Sequence, residues 1–112
     1  MRSIVIDCAD PRALAPFWSA VTGYREKYGD DEWVQLVDPA GHGVAIGFQR
    51  VPEPKVGKNR LHIDLSAGDE EAAAARIEAL GAKRLWVSED PEDVFIVLAD
   101  PEGNEFCVCR QG

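Results

Sequence analysis

No run of apolar residues in this chain approaches the roughly 20 that a membrane span requires, and its first residues lack the apolar core of a secretion signal. A soluble cytoplasmic protein with no membrane partner is expected. Cations are scarce too: 12 Lys and Arg against 20 Asp and Glu leave a net charge of -8. Such a chain repels phosphate backbones, and its only local concentration of basic residues is the short 55–60 segment, so nucleic-acid binding is not expected. Cysteine is limited to Cys8, Cys107 and Cys109, without C-x-x-C spacing, which favours free buried thiols over a zinc site. Histidine occurs only as His42 and His62. The G-x-G-x-x-G, P-loop and G-x-S-x-G patterns of phosphate cradles and nucleophile elbows are all missing.

What is present reads as two similar halves within 112 residues, a length that suits one compact domain. A β-branched strand over 3–8 (SIVIDC) is followed by Asp10-Pro11, a helix cap and a first-turn proline. Leu14, Phe17, Trp18 and Val21 then recur with helical spacing, and Gly23 stops the helix. Pro16 within it predicts a kink or an irregular turn. Strands are expected over 24–28, 33–37 and 44–49, the last two joined by the turn D-P-A-G at 38–41. Residues 51–58 (VPEPKVGK) form a linker. The order then repeats: a strand over 60–66, an Ala-rich helix capped by Asp69 and ended by Gly81, and strands over 83–88, 94–98 and 104–109. The last two are joined by D-P-E-G at 100–103. This self-similarity predicts an α+β fold of two tandem βαβββ modules, about 1–50 and 59–112.

One helix per module covers one sheet face, and strand alternation decides which. The covered set is Ile4, Ile6 and Cys8, repeated as Leu61, Ile63 and Leu65. The opposite face carries Ser3, Val5 and Asp7, repeated as His62, Asp64 and Ser66. Ala45, Gly47 and Gln49 share one side of their strand, as do Glu105, Cys107 and Cys109. If the sheets curl, these polar faces line a concave cavity. Trp18 belongs to the helix stripe and the core. Core packing is also the first expectation for Trp33 and Trp86, although both sit near strand boundaries where they could wall a cavity. His42 falls in an exposed turn, and the acidic run 89–93 (EDPED) reads as a solvated loop.

F-W-S-A-V-T-G-Y after D-C-A-D-P-R-A-L-A-P, R-L-H-I-D-L at the second module and V-L-A-D-P-E-G-N-E-F-C-V near the end carry a family resemblance. The chain resembles the vicinal oxygen chelate superfamily, in particular its small glyoxalase-like domains (the glyoxalase, bleomycin resistance and extradiol dioxygenase group). The resemblance spans essentially the whole chain and implies a single domain whose modules form a half-open barrel, often in a homodimer. It also implies a divalent metal held by four inward residues, one each from the first and last strands of both modules. Those positions fall on Val5 or Ser3, Ala45 or Gly47, His62 and Cys107, and only His62 is of a usual ligand type. A displaced site built from His62 with Asp7, Asp64 or Glu105 is the remaining route to a metal.

The expectation is therefore a protein without metal or other cofactor, binding a small neutral or cationic organic molecule. Asp7, Trp33, Gln49, His62, Asp64, Trp86, Glu105 and Cys107 are its candidate contacts. The alternative is a lyase or isomerase acting on a small carbonyl compound, with His62 or a nearby carboxylate moving a proton. Glyoxalase I and extradiol dioxygenase chemistry are disfavoured by three of the four ligand positions. A non-catalytic interaction unit is a third possibility.

Overall fold

The computed structural model describes residues 1–110. They form two compact units that divide between Val56 and Gly57, each a βαβββ module. In the first, β1 (Ser3–Cys8) leads through α1 (Pro11–Thr22) to β2 (Arg25–Gly29), β3 (Trp33–Val37) and β4 (Ala45–Arg50). In the second, β5 (Ile63–Ala67) leads through α2 (Glu70–Ala79) to β6 (Lys83–Val87), β7 (Phe95–Ala99) and β8 (Glu105–Arg110). The sheets are ordered β1-β4-β3-β2 and β5-β8-β7-β6. Each module's first strand pairs in parallel with its last, and the other pairings are antiparallel. The fold is α+β, as the internal repeat predicts. No helix among the described residues is long and apolar enough to cross a membrane.

Local chemistry explains where the helices begin and end. Asp10 is extended and its carboxylate accepts from the Ala13 amide, while Pro11 occupies the first turn, where a missing N–H costs nothing. Gly23 closes α1 with φ of 78°, and its amide donates to the Ser19 carbonyl. The helix runs unbroken through Pro16, against the irregular turn expected there. The ring lies on the exposed side, so the change is confined to one missing N–H donor.

Leu14, Phe17 and Trp18 are buried, and α1 packs on β3 and β4, where Val34, Leu36, Ile46 and Phe48 complete the core. Truncating one of these, Phe48→Ala, would cost about 4 kcal/mol. In the second unit Ala74 and Ile77 are the buried apolar residues of α2. The small Ala74 lets the helix lie close to β7 and β8, above Ile96, Leu98, Phe106 and Val108.

The face turned away from each helix is set by the ladders. Ser3, Val5 and Asp7 pair with Ala45, Gly47 and Gln49 in the first unit. Asp64 and Ser66 pair with Cys107 and Cys109 in the second. One strand start differs from expectation. β5 begins at Ile63, because its ladder with β8 opens at Ile63 and Phe106. Leu61 therefore lies outside the sheet and is exposed instead of joining the covered apolar set.

Candidate functional site

A cavity of about 580 Å³ opens on the uncovered face of the second sheet. Its floor comes from adjacent strands: Val97 of β7 lies beside Cys107 of β8, and Phe95 beside Cys109. His62 and Asp64 line it from the β5 side, with Asp64 directly across the ladder from Cys107. Leu85 and Trp86 line it from β6. Strict alternation would send two consecutive residues to opposite faces, but the β6–β7 register shifts between Arg84 and Trp86, and such a bulge re-aims the side chains around it. Lys58, Asp93, Glu105 and Phe106 complete the lining.

Trp86 and Phe95 meet edge to face, ring centres 5.4 Å apart and planes at 74°, and form an aromatic corner. Trp86 is 54% exposed, so it is not a core residue, and the first expectation for it is corrected. The bulge removes it from the packed face and leaves one ring edge on Phe95. Asp93 is likewise more than part of a solvated loop, since it lines the cavity.

The segment leading to His62 is anchored by a polar network. Asp100 and Asn104 are buried, and the Asp100 carboxylate accepts from both the amide and the side-chain nitrogen of Asn104, each at 2.9 Å. The Asn104 side-chain oxygen in turn accepts from Asn59 Nδ2 at 3.2 Å, and the Asn59 amide donates to Glu105 Oε2 at 3.2 Å. Thus the D-P-E-G-N-E sequence fixes more than a turn. It ties the chain ahead of β5 to the start of β8, and it engages the Glu105 carboxylate with backbone.

The thiols are electrostatically distinctive. Burial, reinforced by the nearby Asp64 carboxylate, pushes the Cys107 thiol up to about 11. Cys109 is raised by burial and then by Asp64 and Asp93. Both are half-buried thiols, protonated at neutral pH, whereas Cys8 is buried and its thiol donates to the Gln49 carbonyl.

Of the other expected contacts, Asp7, Trp33 and Gln49 belong to the first unit. They share the uncovered face there, with Asp7 and Trp33 each paired to Gln49. Asp7 and Gln49 are exposed. Trp33 is half-buried and packs against Gly47: a Cβ at Gly47 would stand 2.1 Å from Cη2 and 2.7 Å from Cζ2 of its indole. The glycine is required by the ring above it.

The ladders also resolve which residues stand at the four metal positions that the family resemblance implies. Each helix cap follows its strand by the same interval, Asp10 after Cys8 and Asp69 after Ala67, so Ser3 corresponds to His62. β4 and β8 match residue for residue, Ala45 with Glu105 and Gly47 with Cys107. Val5 pairs with Gly47 as Asp64 pairs with Cys107, in agreement. The set is therefore Ser3, Gly47, His62 and Cys107, with Val5 and Ala45 ruled out. Counting from the D-P-x-G turns points to Ala45 because the first turn is longer. There the Asp38 carboxylate gathers the amides of Ala40, His42 and Gly43 before β4 begins.

This donor set does not fit a divalent metal. Gly47 offers no side chain and its space is filled by indole, Ser3 is a poor ligand, and Cys107 holds its proton. Among the described residues no three His, Cys, Asp or Glu side chains converge as a group able to hold a metal ion, so His62, Asp64 and Glu105 do not form the displaced site either.

A family profile described as a glyoxalase-like domain matches residues 3–109. The chain belongs to the glyoxalase-like domain family. Solved structures share its fold. A glyoxalase/bleomycin resistance protein/dioxygenase family enzyme from Burkholderia phytofirmans is 21% identical with a TM-score of 0.77, over 96% of this chain and 95% of that one. The bleomycin-binding protein of Streptomyces verticillus, solved with copper(II)-bleomycin, is 17% identical with a TM-score of 0.68, over 100% and 97%. A variant of the fosfomycin resistance protein FosX from Listeria monocytogenes, solved with Mn(II) and a dihydroxypropylphosphonic acid, is 16% identical with a TM-score of 0.79, over 97% and 87%. At these identities the shared property is the fold. No curated protein sequence is significantly similar to the chain.

Proposed function

We propose that this glyoxalase-like protein binds a small neutral or cationic organic molecule in the cavity of its second module, without a metal at the superfamily's four positions. The observation that carries the reading is the aromatic corner of Trp86 and Phe95 beside polar anchors in a volume suited to a small molecule. A large aromatic side chain left half in water is costly unless something covers it. Asp64, Asp93 and Glu105 outnumber Lys58 on the lining, which disfavours phosphates and carboxylates as ligands. Sequestration of a ligand, the behaviour suggested by the bleomycin-binding relative, needs shape and aromatic walls but no reactive centre. The protein is proposed to work in the cytoplasm as a single domain and a homodimer.

A second reading is a lyase or isomerase acting on a small carbonyl compound. It is favoured by His62, Asp64 and Glu105 lining one cavity, which gives proton donors and acceptors access to a bound ligand.

A thermal-shift and tryptophan-fluorescence screen of chelator-treated protein tests the first reading. Neutral and cationic aromatic compounds are expected to raise the melting temperature, and Trp86→Ala is expected to weaken binding at least tenfold. Binding that ignores both Trp86→Ala and Asp64→Asn would overturn the site. Turnover of a carbonyl compound that is lost in His62→Gln would favour the second reading.

A further inference from the structure

We propose, on the reading above that the cavity holds a small organic molecule, that its occupant is an arylalkylamine bound in one direction, with the ammonium at Asp64 and the ring against Trp86 and Phe95. The strand ladders carry the inference. Asp64 on β5 pairs with Cys107 on β8, Cys107 with Val97 on β7, and Val97 with Trp86 on β6. These four residues form one row across the sheet, and all four line the cavity. The neighbouring row sets Cys109 beside Phe95, and Phe95 meets the Trp86 ring edge to face. One end of the row is therefore a carboxylate and the other an aromatic corner. Val97 between them is apolar, and Cys107 keeps its proton at neutral pH, so the floor that separates the ends is uncharged.

Spacing then selects the ligand. Adjacent strands lie ~4.8 Å apart, so three steps put Asp64 and Trp86 about 14 Å apart at Cα. A charge-assisted hydrogen bond takes up ~3 Å of this and a ring-to-ring contact ~5 Å. Roughly 6 Å remains between the ligand's nitrogen and its ring centre, the span of about two or three methylene groups. Charge decides the head group. The lining carries Asp64, Asp93 and Glu105 against Lys58 as its only permanent cation. Glu105 already accepts from the Asn59 amide, whereas among the described residues neither Asp64 nor Asp93 takes part in an ion pair. An ammonium supplies the missing positive charge together with N–H donors for a carboxylate. Asp93 stands two residues before Phe95, off the row, and adds negative potential that favours a cation without fixing its direction.

The test is calorimetric titration of the whole chain with benzylamine, phenethylamine, phenylpropylamine and phenylpentylamine, and with the alcohol of matching length for each. Phenethylamine or phenylpropylamine is expected to bind tightest, at least tenfold tighter than its alcohol. Asp64→Asn should lower the amine to the alcohol's affinity and leave the alcohol within twofold of its parent value. Trp86→Ala should weaken amine and alcohol by the same factor, tenfold or more. Circular dichroism reports whether each variant is folded. Equal binding of amines and alcohols would overturn the inference and leave the cavity reading intact. A preference for amines that survives Asp64→Asn, or that disappears in Asp93→Asn instead, would overturn the bound direction. Failure of the whole series while other compounds bind would overturn the arylalkylamine assignment, and failure of every compound would overturn the cavity reading with it.

Discussion

Replacing Gly47 by alanine should destabilise the protein through Trp33 alone. The added Cβ would sit 2.1 Å from one indole carbon and below 3.0 Å from two more, distances no packed structure sustains. The contact is with a rigid ring, so the indole must tilt or the strand must shift. Overpacking of this kind costs about 3 kcal/mol. Alanine returns about 0.5–1 kcal/mol by restricting the unfolded chain, leaving a net loss of about 2 kcal/mol. For a chain of this length that lowers the melting temperature by about 8 °C. Deleting the ring first should erase the penalty: in a Trp33→Ala background, Gly47→Ala becomes neutral or slightly stabilising. The assay is a double-mutant cycle by urea denaturation, with an expected coupling energy of about 3 kcal/mol, the overpacking cost that the ring imposes. Equal destabilisation in both backgrounds, or none in either, would refute the view that indole occupies this ligand position.

Three further outcomes follow from the geometry. Arg110 bonds to the Glu70 carboxylate and holds its pKa below the ordinary 4.5, so the stabilisation is fully present above that value and is lost as pH falls through the lowered pKa. Glu70→Gln should therefore flatten the acid limb of stability measured by urea melts between pH 5 and 2. Cys107, with its thiol near 11, should alkylate slowly, since on the order of 1% is thiolate at pH 9. Its rate should rise through pH 11, and Asp64→Asn should shift that rise to lower pH, as followed by mass spectrometry. Trp86→Ala should cost only about 1 kcal/mol, the worth of its edge contact with Phe95, because the ring is already half in water; a loss above 3 kcal/mol would make it a core residue.

Much of the fold was legible because it is written twice. Asp10 and Asp69 cap the helices, D-P-x-G turns join the last strand pairs, and alternation in β1 and β8 separates apolar from polar faces. The cavity was only half legible, for reasons that concern particular strands. His62, Asp64, Glu105 and Cys107 announced themselves as polar or thiol residues on alternating strands. Phe95 did not, because β7 is a central strand with apolar residues on both faces, so F-I-V-L-A reads as one continuous run. Leu85 and Trp86 reach the cavity together by a bulge, and a register shift leaves no mark in a period-two pattern. The first-module metal positions stayed ambiguous because a longer turn after Asp38 offset one count from the other. Only the ladder pairing of Val5 with Gly47 resolved it.

The most direct test of a metal-independent cavity is metal analysis with native mass spectrometry after the purified protein is supplied with zinc, nickel, manganese and iron(II). The donor set of Ser3, Gly47, His62 and Cys107 predicts no stoichiometric divalent metal, and ligand binding unchanged by chelator. One bound divalent ion per chain that disappears in His62→Ala would contradict it and return metal-assisted lyase or dioxygenase chemistry to the front.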